Sequence, residues 1–191
     1  MIRAAIIGVT GYAGEELLDI LLGHPEVKVT NVSAKIDKPK DVCEIFPKYK
    51  GRFSMACKEP NIKEIAKDSD LVFLALPHTV SMSLVPKLLS YGKRVIDLSA
   101  DYRLKNTLVY ENFYGVKHTD KVNLKSAVYG LPELYRYKIR DSRLIANPGC
   151  YPTAAILALA PLVACGLIDN NSVIIDAKSG VTGAGRKVAE A

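Results

Sequence analysis

A doubly wound α/β fold, with a parallel sheet covered by helices on both faces, is predicted by three features of the sequence. Short, almost continuously apolar runs recur along it, segments with helical spacing lie between them, and a glycine-rich turn joins the first run to the first such segment. Runs apolar at every position suit strands buried on both faces. Strands alternating with helices imply parallel pairing through right-handed crossovers.

The first run, Ala4 to Val9, is read as a buried strand, and Glu15 to Leu22 as a helix whose apolar stripe is Leu17, Leu18, Leu21 and Leu22. Between them stands Gly8-Val9-Thr10-Gly11-Tyr12-Ala13-Gly14. Strand, glycine turn and helix in that order form the context of a dinucleotide-binding fingerprint, although the spacing is GxxGxxG and not GxGxxG. Glycines there permit a tight turn, close approach of the backbone to a pyrophosphate, and close packing of helix on strand. The helix N-terminus adds N–H donors for the anion. The plainer alternative is a turn kept glycine-rich for packing alone.

Val27 to Val32 is the second strand. NAD-binding sheets usually place Asp or Glu at its end, on the ribose hydroxyls; here it runs into Asn31-Val32-Ser33-Ala34-Lys35, with Lys38 beyond. A hydroxyl and cations suit a 2′-phosphate, so NADP is the expected cofactor. Merely solvated lysines are the competing reading, stronger for Lys38 than for Lys35.

Leu71 to Leu76 and Arg94 to Leu98 are further strands, with a helix over Ser81 to Ser90 in which Pro86 fits only near the first turn or at a kink. Leu74-Ala75-Leu76-Pro77-His78 ends its strand at the crevice where such sheets bind ligands. Pro77 stops the strand, and His78 either lines the nicotinamide side of the pocket or is an exposed loop histidine. Asp97-Leu98-Ser99-Ala100-Asp101-Tyr102-Arg103 supplies a hydroxyl, carboxylates and a guanidinium suited to bidentate recognition of carboxylate or phosphate. Asp101 and Arg103 pairing with each other is the alternative. Asp101 to Tyr137 reads as a long irregular excursion, of a length that serves a site or conceals further elements. Leu144 to Ala146 is the last strand of the sheet.

Asn147-Pro148-Gly149-Cys150-Tyr151-Pro152-Thr153 then delivers a cysteine to the start of the apolar run Ala154 to Ala160. At a helix start Cys150 meets unpaired N–H groups and the positive end of the helix dipole, which favour a thiolate. Such a nucleophile attacks an activated acyl group to make a thioester, which a nicotinamide cofactor then reduces to an aldehyde. Cys43, Cys57 and Cys165 read as small buried hydrophobes. Ser172 to Ala177 is strand-like, and the loop Ser179 to Arg186, with three glycines, two hydroxyls and Arg186, is either an anion nest or a flexible end.

Composition bounds the rest. The 191 residues suffice for one domain and the start of a second, expected as a cofactor domain over 1–149 and an incomplete catalytic segment over 150–191. One helix, one strand and a glycine loop cannot close a domain, so the chain is read as part of a longer protein. Four scattered cysteines without CxxC spacing fit a reduced cytoplasmic protein with neither zinc nor disulfides. A net charge of +6, spread along the chain, suits anionic small molecules better than nucleic acid. No signal peptide or membrane span is read.

Taken together and in order, GVTGYAG, LALPH, DLSADYRL, YGLPELYR, NPGCYPT and SGVTGAGR resemble the N-acetyl-γ-glutamyl-phosphate reductases of arginine biosynthesis, within the semialdehyde dehydrogenase superfamily. The resemblance implies NADPH-dependent reduction of N-acetylglutamyl 5-phosphate to the semialdehyde, with phosphate released, in an enzyme that is a homo-oligomer. It implies that Cys150 is the nucleophile, that Gly8, Thr10, Gly11, Tyr12, Ala13 and Gly14 cradle the pyrophosphate, and that Ser33, Ala34 and Lys35 meet the adenosine end. Pro77, His78 and Gly183 are placed with the cofactor; Ser99, Arg103, Asn147, Ser179, Gly180 and Arg186 with the substrate. The family's catalytic histidine belongs to a later segment than any present, so the chain alone is expected to be weakly active or inactive. The aminoadipyl-phosphate reductases of lysine biosynthesis and aspartate-semialdehyde dehydrogenase are the related alternatives, disfavoured by NPGCYPT and SGVTGAGR. A nucleotide-binding module without catalysis is the alternative of another class.

Overall fold

The computed structural model describes residues 1–186; residues 187–191, the end of the expected catalytic segment, lie outside the described residues. The chain opens with β1 (Ile2–Ile7), α1 (Tyr12–Leu22) and β2 (Val27–Ser33). A short antiparallel pair, β3 (Lys40–Asp41) and β4 (Ala56–Cys57), encloses the one-turn helix α2 (Val42–Ile45). Then come α3 (Ile62–Asp68), β5 (Leu71–Leu74), α4 (Ser81–Ser90) and β6 (Arg94–Asp97). They are followed by α5 (Thr107–Tyr114), α6 (Lys121–Ser126), β7 (Val128–Tyr129), α7 (Pro132–Asp141), β8 (Leu144–Ala146) and α8 (Cys150–Ala164).

Six strands pair in parallel in the order β2-β1-β5-β6-β8-β7. The chain winds outward from β1 to β2, then returns past β1 to β5, so β1 and β5 flank the point where the winding reverses, the crevice such sheets use for ligands. Register places the strand ends together: Ile7 pairs with Ser33 and Leu74, Leu74 with Asp97, Asp97 with Ala146, and Ala146 with Tyr129. Every loop that follows a strand therefore leaves from one edge.

Both faces of the sheet are covered, as the apolar runs require. Ala5, Ile7, Val72 and Leu74 pack with Val85 and Leu88 of α4, whereas their neighbours Ala4, Ile6 and Phe73 pack with Leu18 and Leu21 of α1. The two-residue alternation of a strand sends successive side chains into different layers.

The excursion between β6 and β8 holds three helices and an edge strand. These elements are short and rest on caps instead of periodicity: Asn106 accepts from the Leu108 N–H, Gly115 ends α5 at φ +68°, and Asp120 accepts from the Asn123 N–H. Lys105 Nζ donates to the Leu124 carbonyl at 2.7 Å and to that of Ala127, closing the C-terminal end of α6. Pro86 lies well inside α4, not in its first turn. Residues 172–177 form no strand, and Ile174 is 94% exposed; a lone extended segment has no ladder to join. None of the fifteen residues of α8 is buried, although the helix is apolar throughout. Among the described residues no helix is long and apolar enough to cross a membrane.

Candidate active site

The glycine turn is shaped by two collisions that glycine avoids. Gly8 has φ +98°, and a Cβ there would lie 2.8 Å from the Ala75 carbonyl carbon; one on Gly14 would lie 2.8 Å from the Val9 Cα. Gly8 N–H and Val9 N–H both donate to the Ser33 carbonyl, at 2.7 and 3.2 Å, so the turn is fastened to the end of β2. Gly11 differs: a Cβ on it would meet nothing nearer than the Gly8 oxygen at 3.7 Å. The fold itself does not require glycine there, and the backbone at Gly11 is open to approach. Tyr12, Ala13 and Gly14 form the first turn of α1, where N–H groups have no intrahelical acceptor.

Beyond β2 the structure separates residues that the sequence groups. Ser33 and Ala34 are buried, with the Ser33 hydroxyl 3.5 Å from the Ile6 carbonyl and Ala34 N–H donating to the Lys58 carbonyl. Both therefore support the turn, and their expected contact with the adenosine end would be made from the end of β2. Lys35 is exposed, and with Thr10, Lys38 and Lys40, and with the carboxylates Asp37 and Glu44, it lines a hollow of about 710 Å³ beside the glycine turn. Lys40 was missed because only the β3–β4 pairing carries it there.

At the end of β5, Thr79 has φ +74°, the left-handed region and a strained one for a β-branched residue. The buried carboxylate of Asp101 holds it, accepting from Thr79 N–H at 2.7 Å, Met82 N–H at 3.1 Å and the Tyr110 hydroxyl at 2.8 Å. Asp101 thus anchors the start of α4 and is not the partner of Arg103. Pro77 and His78 are exposed just before Thr79. His78 Nδ1 accepts from the Ala100 N–H at 3.0 Å, so the neutral ring carries its proton on Nε2.

Ser99, expected at the substrate, is buried; its hydroxyl donates to Asp97 at 2.8 Å and accepts from the Asp101 N–H at 3.1 Å. Its hydroxyl hydrogen is thereby committed to the loop. Burial pushes the Asp97 carboxyl above its ordinary range, against hydrogen bonds from Ser99 that favour the anion. An unfolded Asp titrates near ~3.9. The folded state thus binds this proton more tightly, and Asp97's contribution is complete below the unfolded value and lost as pH rises through the folded one. Asp97→Asn, neutral throughout, is expected to match or exceed the wild type in urea melts at neutral pH and to lose that advantage in acid.

Arg103 reaches the cysteine loop. Its Nε donates to the Asn147 carbonyl and its Nη2 to the Leu98 carbonyl, each at 2.7 Å, and Nη1 would lie 3.2 Å from a Cβ on Gly149. Asn147 is tied by its N–H to the Asp97 carbonyl at 2.8 Å, while its side-chain amide donates to the Pro148 carbonyl. Gly149 is the N-cap of α8, and Cys150 is its first residue, exposed. By contrast, burial pushes the Cys57 thiol up, Asp41 raises that of Cys43, and Cys165 lies at the far end of α8. Tyr129, unremarked in the sequence, ends β7 near Arg103: burial raises its phenol and the guanidinium opposes that rise.

The loop after α8 curls on itself. Val181–Ala184 is a 3-10 turn, Ser179 Oγ donates to the Gly180 carbonyl at 3.0 Å, and Gly183 packs on Ser179. Arg186, expected with the substrate, instead meets the glycine turn: its guanidinium lies 4.1 Å from the Tyr12 ring and pairs with Glu15 at 2.6 Å. Gly8 to Gly14, Lys35, His78, Arg103 and Cys150 are thus carried by loops from the same sheet edge.

Residues 3–142 match the family described as semialdehyde dehydrogenase, NAD binding domain, and residues 150–191 match semialdehyde dehydrogenase, dimerisation domain. The chain is 50% identical over 186 residues to an N-acetyl-gamma-glutamyl-phosphate reductase of Desulfotalea psychrophila, covering 97% of this chain and 54% of that protein. A reductase of the same name from Pelotomaculum thermopropionicum is 48% identical, over 98% of this chain and 54% of its own length. The chain therefore spans about half the length of these curated relatives. In fold it is similar to aspartate semialdehyde dehydrogenase II of Vibrio cholerae, with TM-score 0.64 and 20% identity over 98% of this chain and 49% of that one.

Proposed function

The chain belongs to the semialdehyde dehydrogenase family, and on that premise we propose that the protein is an NADPH-dependent reductase of N-acetylglutamyl 5-phosphate, forming the semialdehyde in arginine biosynthesis. The observation that carries the reading is the exposed thiol of Cys150 at the start of α8, with Arg103 against its loop and the glycine turn on the same sheet edge. The identity to named reductases, along nearly the whole chain, supports the choice of substrate.

Cys150 Sγ gives up its proton to solvent and attacks the acyl carbon; a C–S bond forms, and the C–O bond to phosphate breaks, the phosphate leaving with that electron pair. N–H groups at the start of α8 stabilise negative charge developing beside the thiol. Two N–H groups of Arg103 hold the carbonyls of Asn147 and Leu98, and the remainder of its fork faces the leaving phosphate. Asn147, Ser179 and Gly180 complete the substrate side. The residues present fit a dinucleotide phosphate: open space over Gly11, N–H groups of Tyr12, Ala13 and Gly14, and a hollow in which Lys35, Lys38 and Lys40 outnumber Asp37 and Glu44 and would hold a 2′-phosphate. Pro77, His78 and Gly183 would hold the nicotinamide end, with His78 Nε2–H as a donor. When bound, the cofactor supplies the hydride that takes the acyl group to the aldehyde.

Residues 1–149 form the cofactor domain in this reading, and 150–191 begin the catalytic one, in a cytoplasmic homo-oligomer. Two measurements test it: fluorescence titration with NADPH and NADH, and phosphate-dependent oxidation of N-acetylglutamate semialdehyde by NADP. NADPH is expected to bind at least about tenfold more tightly than NADH, a difference of ~1.4 kcal/mol, and Lys35→Glu should erase that preference. Tight NADPH binding without turnover in the protein assayed would favour a nucleotide-binding module. No binding at about 1 mM NADPH would end the cofactor reading.

A further inference from the structure

We infer that Arg186 is a positioning residue of the cofactor site, a clasp by which the loop that follows α8 holds the glycine turn in its binding shape. The inference rests on the reading that the turn binds NADPH. Arg186 lies far along the chain from β1, yet its Nε donates to the Thr10 carbonyl at 3.2 Å and its Nη2 pairs with Glu15 at 2.6 Å. Its guanidinium also stacks on Tyr12 at 4.1 Å and faces Phe46 at 5.6 Å.

Each contact bears on how the turn meets an anion. A carbonyl in the turn repels a phosphate, and Arg186 engages the carbonyl of Thr10, leaving N–H groups to dominate the open face. Glu15, in the first turn of α1, would by itself oppose an incoming pyrophosphate. Its carboxylate is flanked by Arg186 on one side and by Lys48 at 2.9 Å on the other, and Lys48 also pairs with Asp19. The side chains of Arg186 and Glu15 are 31% and 19% exposed, so solvent screens this pair less than an open surface pair. Stacking on Tyr12 fixes the plane of the guanidinium. A lysine has neither that plane nor the fork to reach Thr10 and Glu15 together.

The test is NADPH affinity by fluorescence titration for the wild type, Arg186→Met, Arg186→Lys, Glu15→Gln and the double variant Glu15→Gln/Arg186→Met, with thermal unfolding of each without ligand. Arg186→Met is expected to weaken NADPH about tenfold or more, with Arg186→Lys recovering only part. The double variant should be weakened less than Arg186→Met alone, because Glu15→Gln removes the charge that Arg186 offsets. The KM for acyl phosphate should stay within about twofold in Arg186→Met. Wild-type affinity for NADPH in Arg186→Met, or a loss confined to the acyl-phosphate KM, overturns the clasp. If Arg186→Met fails to fold, unchanged affinity in both Arg186→Lys and Glu15→Gln overturns it equally. A wild-type protein that does not bind NADPH removes the cofactor reading and the clasp with it, whereas wild-type binding with indifferent variants removes the clasp alone.

Discussion

Cys150→Ser is expected to lower turnover by at least ~10³-fold while NADPH affinity stays within about twofold, since removing a covalent nucleophile disables the reaction as a unit. The thiol is exposed at the first position of α8 and packs into no core, so stability should be unaffected. A hydroxyl at that position has nearly the same shape but is a far weaker nucleophile at neutral pH. Stopped-flow mixing of the wild type with acyl phosphate in the absence of NADPH should release one phosphate per site as the thioester forms, and the serine variant should release none. A serine variant that retains more than about a tenth of the wild-type rate would reject Cys150 as the nucleophile. The same substitution at Cys43 or Cys57 should leave turnover intact.

Gly8→Ala and Gly14→Ala should each destabilise the protein by about 3 kcal/mol or more, combining overpacking with, at Gly8, a left-handed backbone. The added methyl would press on the backbone of Ala75 in the first case and of Gly8 and Val9 in the second, none of which is a flexible side-chain end that can swing aside. Gly11→Ala separates stability from function. Its φ of −79° is open to alanine and its Cβ would clear the protein, so stability should change by no more than ~1 kcal/mol. NADPH affinity should nevertheless fall about tenfold, because the methyl stands where the backbone must approach the pyrophosphate. Denaturant melts and NADPH titrations on the three variants form one experiment. Equal loss of stability in all three, or normal NADPH binding by Gly11→Ala, would show that the turn is glycine-rich for packing alone.

The parts of the fold that could be read from the sequence are those in which burial is two-sided and local. β1, β5 and β8 are largely apolar runs, β2 carries valines at Val27, Val29 and Val32, β6 holds Val95 and Ile96 between Arg94 and Asp97, and α1 carries its leucines at helical spacing. β7 escaped because it has two residues, and α5 to α7 because their residues are charged and aromatic and their order comes from caps, from Asp101 at α5, from Lys105 at α6 and from Arg94 at the end of α7. Ser172 to Ala177 has the composition of a strand but no strand beside it, and β-propensity acts only through a partner.

The candidate site divides in the same way. Which residue types stand at the ends of strands is written in the sequence, and so the glycine turn, Lys35, His78, Arg103 and Cys150 are legible there as strand-end candidates. Which way a side chain faces is not: Ser33 and Ser99 look like ligands to an anion, yet both hydroxyls are buried.

Taken alone, the sequence determined a parallel α/β sheet, a glycine turn opening its first helix, and a cysteine opening its last, because strand burial, φ freedom and helix starts are properties of a few adjacent residues. Only the tertiary structure decided that Asp101 holds Thr79 and Tyr110, that Arg103 braces the cysteine loop, that Lys40 joins Lys35, and that Arg186 returns to Thr10 and Glu15. Apart from the pairs Asp101–Tyr110 and Lys35–Lys40, those contacts join residues distant in the chain, and their partners are chosen by the order of the strands and by which groups burial leaves without water.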